Sequence, residues 1–260
     1  DISDSNAQSL LQTLNQELTW LVKFFRRKPS GPLEMVIVAD ASLWGSEPLP
    51  DDVMAVLDAK ESLVKTSTKS KAIAYCPAST PLVKSALVET YCLQNFGSVG
   101  PLWFRKGMLE FGKYWQVPAQ EVMVDASLLR LLSSVKEPAS LEEITRTAVV
   151  PSESAGDSRL SAAQKRRKAN LEARAARELD AQRWALCFLL AGNPNYQKRF
   201  QQLAMKLVTG QEVAFEAAFG KISKQLQLEL NEFVKHAANG YQVDLTAWNW
   251  KHRFQSVGKS

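Results

Sequence analysis

Residues 79–111 constrain the fold of this chain more strongly than any other segment. They contain two long apolar stretches, separated by a short turn that Gly97 marks. Pro81 follows a Ser-Thr pair, an order typical of a helix N-terminus, and glycine is the residue that most often ends a helix. Pro101 opens the second stretch in the same way. The segment therefore predicts two buried helices around which the rest of the chain packs.

Apolar residues at helical spacing predict helices along most of the chain. An amphipathic helix is predicted over 5–25, and the β-branched run at 33–39 predicts a strand. Residues 62–66 and 71–76 are predicted to pair as a hairpin. The aromatic tail at 244–254 is predicted to pack back on the body. Further helices are predicted over 52–60, 81–96, 102–114, 121–135, 140–147, 160–190, 196–208, 211–219 and 222–238.

The composition suits a globular protein with a substantial core, because 45% of the residues are hydrophobic and 23% are charged. Residues 151–157, which include Ser, Gly and Pro, indicate a linker. We predict an α+β, mostly helical fold in which 1–150 contains a small mixed N-terminal sheet and the helix pair. Residues 151–260 are predicted to form a helical subdomain of the same continuous domain. No apolar run approaches the roughly 18 residues that a transmembrane helix needs.

The first helix of the pair contains the sequence VETYC at residues 88–92. Catalytic zinc peptidases often carry H-E-x-x-H on a helix, where two histidines one turn apart bind the metal and the glutamate acts as general base. Glu89 stands at the position of that base. Val88 and Cys92 stand at the positions of the two histidines.

The second helix contains LWFRKGMLEF at residues 102–111, which resembles the W-[LF]-x-E-G-x-A-E-[YF] segment of gluzincin peptidases. That segment supplies the third zinc ligand, a glutamate, and Lys106 occupies its place here. The residues that fit the pattern are Trp103, Phe104, Gly107, Glu110 and Phe111.

The resemblance to gluzincins extends over about residues 33–234. The segments AQRWALCFLL and 196–220 are similar to the helices that follow the active site in a bacterial family of gluzincin-like domains. A tyrosine often precedes the A-Q-x-W segment in that family, and this chain has Asp180 at that place. The chain thus resembles a degenerate member of the family.

This resemblance implies a small sheet packed on a helical gluzincin-peptidase-like body with an altered metal site. The vestigial ligand positions are Val88, Cys92 and Lys106. Valine has no lone pair for zinc and a lysine ammonium repels a divalent cation, although a cysteine thiolate could coordinate one. His236 and His252, the two histidines of the chain, have a spacing that makes no ligand pair. We therefore expect a pseudo-metallopeptidase without metal or cofactor, in which Glu89 and Glu110 are vestigial.

The function expected from this resemblance is non-catalytic. The protein would bind a peptide or protein partner in the inherited cleft, with Glu89, Trp103 and Lys106 as candidate contacts, or form a structural component of an assembly. Lys106 is expected to offer a positive charge to Glu89 and Glu110, because a buried carboxylate without a partner is unfavourable. Family members are commonly exported, which favours a periplasmic or extracellular location.

Two alternatives stay open. The first is a hydrolase with a non-standard site around Glu89, Glu110 and Cys92. The second is an adaptor for nucleic acid or an acidic partner through residues 159–177, where seven basic residues and one acidic residue account for the net charge of +5. The densest cluster there is Lys165, Arg166, Arg167 and Lys168. Its basic side chains are spread around the predicted helix and no aromatic residues interleave with them, so we expect a solvated helix and disfavour a nucleic-acid partner.

The three cysteines do not form a recognisable framework. Cys76, Cys92 and Cys187 are far apart and odd in number, and the chain contains no C-x-x-C pair, so neither a disulfide scaffold nor a structural zinc site is indicated. Cys92 and Cys187 lie in apolar helical contexts and are predicted to be buried as small hydrophobic residues. A single disulfide stays open if the protein is exported.

Overall fold

The computed structural model describes residues 3–39, 49–66, 71–116, 121–146, 161–238, 242–245 and 250–257. The helices within these residues are α1 (Asp4–Phe25), α2 (Asp51–Asp58), α3 (Thr80–Phe96), α4 (Leu102–Tyr114), α5 (Ala126–Ser134), α6 (Leu141–Thr145), α7 (Ala162–Gly192), α8 (Pro194–Val208), α9 (Phe215–Phe219) and α10 (Ser223–Ala238). The strands are β1 (Glu34–Val38), β2 (Leu63–Thr66), β3 (Ala72–Pro77), β4 (Glu121–Asp125), β5 (Gln242–Leu245) and β6 (Trp250–Val257). The fold is α+β and mostly helical, as predicted.

The N-terminal sheet has the strand order β1-β3-β2. Strand β3 pairs in parallel with β1 and antiparallel with β2, so the sheet is mixed and the predicted hairpin is confirmed. Side chains on β3 alternate between buried and half-buried positions, and Ala72, Ala74 and Cys76 are fully buried. Because alternate residues of a strand point to one face, this pattern places a row of small side chains beneath α3.

Helices α3 and α4 form the predicted pair. Gly97 ends α3 with φ +73°, a left-handed conformation that glycine adopts without strain. Ser79 is the residue before α3, but its side chain accepts no hydrogen bond from the first turn of the helix. The N-terminus of α3 therefore depends on Pro81 and packing rather than on the side-chain cap that the sequence predicts.

Helix α4 lies between α3 and α7 and approaches both closely. Gly112 faces Val88 of α3, and Gly107 faces Cys187 and the backbone of α7. A Cβ atom at residue 107 would lie 2.7 Å from the carbonyl oxygen of Arg183, which is closer than real Cβ contacts allow. These two glycines sit on different sides of α4 and permit it to contact both α3 and α7 closely.

One hydrophobic core joins the two predicted parts of the chain. Phe24 of α1, Phe104 of α4, Trp184 of α7 and Phe200 of α8 are buried in the same cluster. Asn193 separates α7 from α8, and its side chain accepts a hydrogen bond from the N–H of Asn195 at 2.9 Å.

No helix in the described part of the chain is both long enough and apolar enough to cross a lipid bilayer.

The predicted helix over 121–135 is wrong in its first third. Residues 121–125 form β4, which pairs in parallel with β6, while β5 pairs with the other side of β6. The alternation in EVMVD suits a strand, and its partner lies more than a hundred residues away in the aromatic tail. Asp125 then caps α5 by accepting a hydrogen bond from Ser127 N–H at 2.6 Å.

The structure changes one further helix boundary and bears out the predicted cap of α6. The helix predicted over 211–219 begins only at Phe215, because residues 211–214 are irregular. The linker predicted at 151–157 lies outside the described residues. The capping box of α6 is confirmed, since Ser140 and Glu143 exchange side-chain-to-backbone hydrogen bonds.

A buried pair of ionisable residues lies where α1, α3 and α4 meet. Glu17 is 1% exposed, and neither carboxylate oxygen has a hydrogen-bond partner within the described residues. Lys84 is also buried and donates to the carbonyl oxygen of Trp115. Burial raises the pKa of Glu17 well above its ordinary value of 4.5, and the charge of Lys84 partly opposes that shift. Burial therefore favours a protonated Glu17.

We expect Gly107→Ala to lower the free energy of unfolding by about 1–3 kcal/mol, because the added methyl group must displace α4 from α7. Gly220→Ala is the matched control, since a Cβ there lies 3.7 Å from its nearest neighbour and the residue is exposed. The control should change stability by less than about 0.5 kcal/mol. Chemical denaturation measures both variants, and equal effects would contradict the close approach.

We expect Glu17→Gln to remove a pH-dependent loss of stability. A carboxyl group whose pKa is raised in the folded state contributes fully below its unfolded pKa, near 4.5, and this contribution is lost as the pH rises through the folded-state pKa. The variant should therefore gain stability relative to the wild type as the pH rises from about 4.5 through the folded-state pKa. Urea denaturation across this range tests it, with the exposed Glu142→Gln as control. A difference in unfolding free energy between variant and wild type that does not change with pH would contradict the prediction.

Candidate functional site

Glu89 forms an ion pair with the residue next to Lys106. Its carboxylate accepts a hydrogen bond from the guanidinium of Arg105 at 2.5 Å. The Glu89 side chain is 11% exposed, whereas that of Arg105 is 49% exposed. The expectation that Lys106 faces Glu89 is therefore wrong, because the neighbouring arginine holds that place.

Lys106 turns instead toward α7. Its ammonium group lies 3.8 Å from the carboxylate of Asp180, which also accepts a hydrogen bond from Arg183 at 2.8 Å. Arg183 is buried, and its Nε donates to the carbonyl oxygen of Ile144 at 3.2 Å. Adjacent residues on a helix point about 100° apart, so Arg105 reaches α3 while Lys106 reaches α7.

We call the five residues of these three ion pairs the ion-pair junction: Glu89, Arg105, Lys106, Asp180 and Arg183. The junction joins α3, α4 and α7. Its more exposed members, Arg105 and Lys106, are cations, and each is about half exposed. Their carboxylate partners are less exposed, so the junction presents positive charge to solvent.

Glu110 lies apart from this junction. It pairs with Lys113 on the same helix, at 3.1 Å, and both side chains are about a quarter to a third exposed. This is an ordinary pair three residues apart on a helix. The expectation that Lys106 also offers charge to Glu110 is therefore replaced by a local contact with Lys113.

The predicted ligand positions do not converge on one point. Val88 and Cys92 are each 1% exposed and belong to the core, with Val88 packed against Gly112. Lys106 is six residues from Gly112, about 9 Å along the axis of α4, and faces α7. The structure therefore brings Lys106 to Asp180, but it does not bring Val88 to Lys106.

The candidate binding residue Trp103 is also in the core. It is 3% exposed, and its ring meets Phe104 and Phe215 edge-on at centroid distances of 5.6 and 5.7 Å. His236 belongs to α10 and His252 to β6. Among the described residues, no group of three His, Cys, Asp or Glu side chains could hold a metal ion.

The three cysteine thiols are buried and free of disulfides. Burial raises the pKa of Cys76 to about 12, and the negative charge of Glu89 adds to this shift. The same two causes raise the pKa of Cys92, and burial raises that of Cys187. A thiol must ionise to act as a nucleophile or metal ligand, so none of these cysteines is poised for such chemistry.

A cleft of about 830 Å³ borders the ion-pair junction at Arg183. The segment 134–146 forms one wall and α7 forms the other. Leu171 and Leu179 supply apolar surface, while charged side chains of both signs surround it. The site thus combines half-exposed cations with an adjacent groove.

Sequence patterns missed the roles of Arg105 and Arg183. Arg105 immediately precedes Lys106, and the gluzincin pattern marks only Lys106 as a ligand position. Asp180 and Arg183 stand three residues apart on a helix, a spacing that predicts contact. Comparison of the chain with protein-family models, curated proteins and solved structures found no match.

We expect all three native cysteines to resist a thiol-specific reagent at about pH 8, because their thiolate forms are suppressed and their sulfur atoms are buried. All three should react after denaturation. Ala169→Cys places a thiol on the exposed part of α7 as a positive control. Native reaction of Cys92 as fast as that of the control would restore Cys92 as a candidate nucleophile.

Proposed function

We propose that the protein binds a peptide or protein partner without catalysis, through the ion-pair junction and the groove beside it. The observation that carries this proposal is the half-exposure of Arg105 and Lys106 above less exposed carboxylates. Each cation retains N–H groups that can donate hydrogen bonds to a partner's carboxylate, because a guanidinium carries five N–H groups and an ammonium three. The expected partner is therefore a peptide segment that contains acidic side chains or ends in a free carboxylate.

The groove supports the same interpretation. Peptide sites combine apolar surface, which supplies binding energy, with polar groups that fix orientation. Leu171 and Leu179 offer such surface, and Arg183 connects the groove to the junction. The exposed fraction of Leu171 is 60%, which is unusual for a large apolar side chain in this chain.

The chemistry of the side chains at the motif positions argues against hydrolysis. Val88 has no donor atom, the thiol of Cys92 is held in its protonated form, and Lys106 is a cation paired with Asp180. Glu89 could act as a general base only after release from Arg105. The alternative of a hydrolase around Glu89, Glu110 and Cys92 is weakened further because Glu110 is paired elsewhere.

Descent from a gluzincin frame is part of this proposal. The mixed sheet, the following helix with Glu89 and the helix with Lys106 occur in the order that the resemblance implies. Lys106 stands at the place of the third zinc ligand, and Asp180 stands at the place of the tyrosine that often precedes the A-Q-x-W segment. These two side chains are in contact. The core positions of Val88 and Cys92 would then reflect repacking after loss of the metal.

Binding of a fluorescent acidic peptide tests the proposed site. We expect Lys106→Gln to weaken binding by about three- to tenfold, consistent with the loss of one charge-assisted hydrogen bond. Lys113→Gln removes an equal charge from the same helix at a position paired with Glu110 and should leave binding nearly unchanged. Fluorescence polarisation at constant salt measures both. Equal losses in the two variants would overturn the site, because they would indicate a general charge effect.

A generic peptidase assay with added zinc tests the absence of catalysis. We expect any cleavage by the purified protein to be the same for the wild type and Glu89→Gln, because Glu89 is the only motif residue that could act as the base. A loss of zinc-dependent cleavage specific to Glu89→Gln would overturn the non-catalytic proposal and support the hydrolase alternative.

A further inference from the structure

The N-terminal part of α7 extends away from the core. Residues 161–177 are all exposed except Lys168, which is half-buried, whereas residues 181–191 of the same helix are buried. The 16 helical residues 162–177 span about 24 Å. This part of α7, which we call the projecting helix, is therefore supported mainly by its own sequence.

The sequence of the projecting helix favours helical structure without a core. Ser161 and Gln164 form a capping box at its start. Lys168 pairs with Glu172 at 3.7 Å, and Arg174 pairs with Glu178 at 2.9 Å, each four residues apart. Alanine, the strongest helix former, recurs at Ala162, Ala163, Ala169, Ala173, Ala175 and Ala176.

The arginines of the projecting helix share one side. At about 100° per residue, they fall within an arc of about 100°, with Glu172 on the opposite side. We call this side the arginine face: Arg166, Arg167, Arg174 and Arg177. Lys165 and Lys168 lie on the other side, nearer Glu172. The basic side chains as a set are spread around the helix, as expected, but the arginines share one side.

The fold does not account for the arginine face. Among the described residues, Arg166 and Arg167 form no ion pair, and Nε of Arg177 donates to the carbonyl oxygen of Ala173. The first turn of α7 contains no acidic residue. Arg166 and Arg167 lie just after the first turn of α7, so their charges add to the positive field of the helix N-terminus. Such a field attracts a polyanion.

The chemistry of this face favours phosphates over a lipid surface. Membrane-bound helices carry large apolar side chains along the face that enters the bilayer. Leu171, the exposed leucine of this helix, lies off the arginine face and lines the groove described above. Arginine guanidinium groups match phosphate oxygens through paired hydrogen bonds.

We propose that the arginine face docks in the major groove of double-stranded DNA and contacts phosphates on its edges. The groove is about 12 Å wide and admits an α-helix, whereas the corresponding groove of duplex RNA is too narrow for side chains to read. Arg166, Arg167 and Arg177 supply three phosphate contacts, and Arg174 reaches a fourth when it leaves Glu178. This binding is independent of base sequence, and Arg174 is the member of the arginine face that also lines the groove of the peptide site.

Fluorescence anisotropy with a short labelled DNA duplex tests this proposal on the full chain. With three phosphate contacts, the logarithm of the binding constant should fall with the logarithm of salt concentration at a slope of about −2.7. This slope corresponds to about a 40-fold loss between about 50 and about 200 mM salt. Arg166→Gln with Arg167→Gln should reduce the slope by about 2 and weaken binding at least about tenfold.

Lys165→Gln with Lys168→Gln is the matched control, since it removes the same charge from the other side of the same helix. The slope of the binding constant against salt concentration should stay unchanged, and the affinity should stay within about threefold of the wild type. Circular dichroism should show equal helix content in both double variants. The proposal is overturned by undetectable DNA binding or by equal losses in the two double variants. Equal binding of duplex RNA overturns groove docking, and stronger binding of a polyglutamate peptide identifies a protein partner instead. Loss of peptide binding in Lys106→Gln with unchanged DNA binding separates this site from the junction.

Discussion

The close approach of α4 to its two neighbours is the constraint on which the structure depends. Gly112 lets α4 meet α3, and Gly107 lets it meet α7. A side chain at either position would occupy space already filled by a neighbouring helix. Helix α3 packs against the N-terminal sheet, and α7 packs against α8 and α10. The contacts of α4 with α3 and α7 therefore join both parts of the chain in one core.

This packing also decides the electrostatics of the junction. Once α4 lies between two helices, its consecutive residues Arg105 and Lys106 reach different carboxylates, Glu89 and Asp180. The partly buried carboxylates gain charged partners, which offsets their loss of hydration. The positive ends of both contacts stay accessible to water, and the adjacent groove shares the wall of α7. The proposed recognition of acidic peptides follows from this difference in exposure between the cations and their carboxylate partners.

Local signals in the sequence predicted most of the elements. Glycine and proline at the ends of α3 and α4, the capping box of α6 and the apolar period of α1 all act within a few residues, so they can be read without a tertiary structure. The strand β4 was missed because its partner β6 is remote in sequence. The candidate site was only partly predicted: Glu89, Lys106 and Asp180 do lie at helix contacts, but Arg105 was overlooked and Trp103 is in the core.

The sequence by itself determined the mostly helical class, the helix pair and the solvated basic helix at the start of α7, because propensity, capping and helical period are local properties. Only the tertiary structure decided which cation meets which carboxylate and which motif residues become core. Val88 and Cys92 stand one turn apart, a spacing equally suited to a ligand pair and to a packed helix face. Their burial against α4 selects the packed face, because contacts between distant segments are absent from any local pattern.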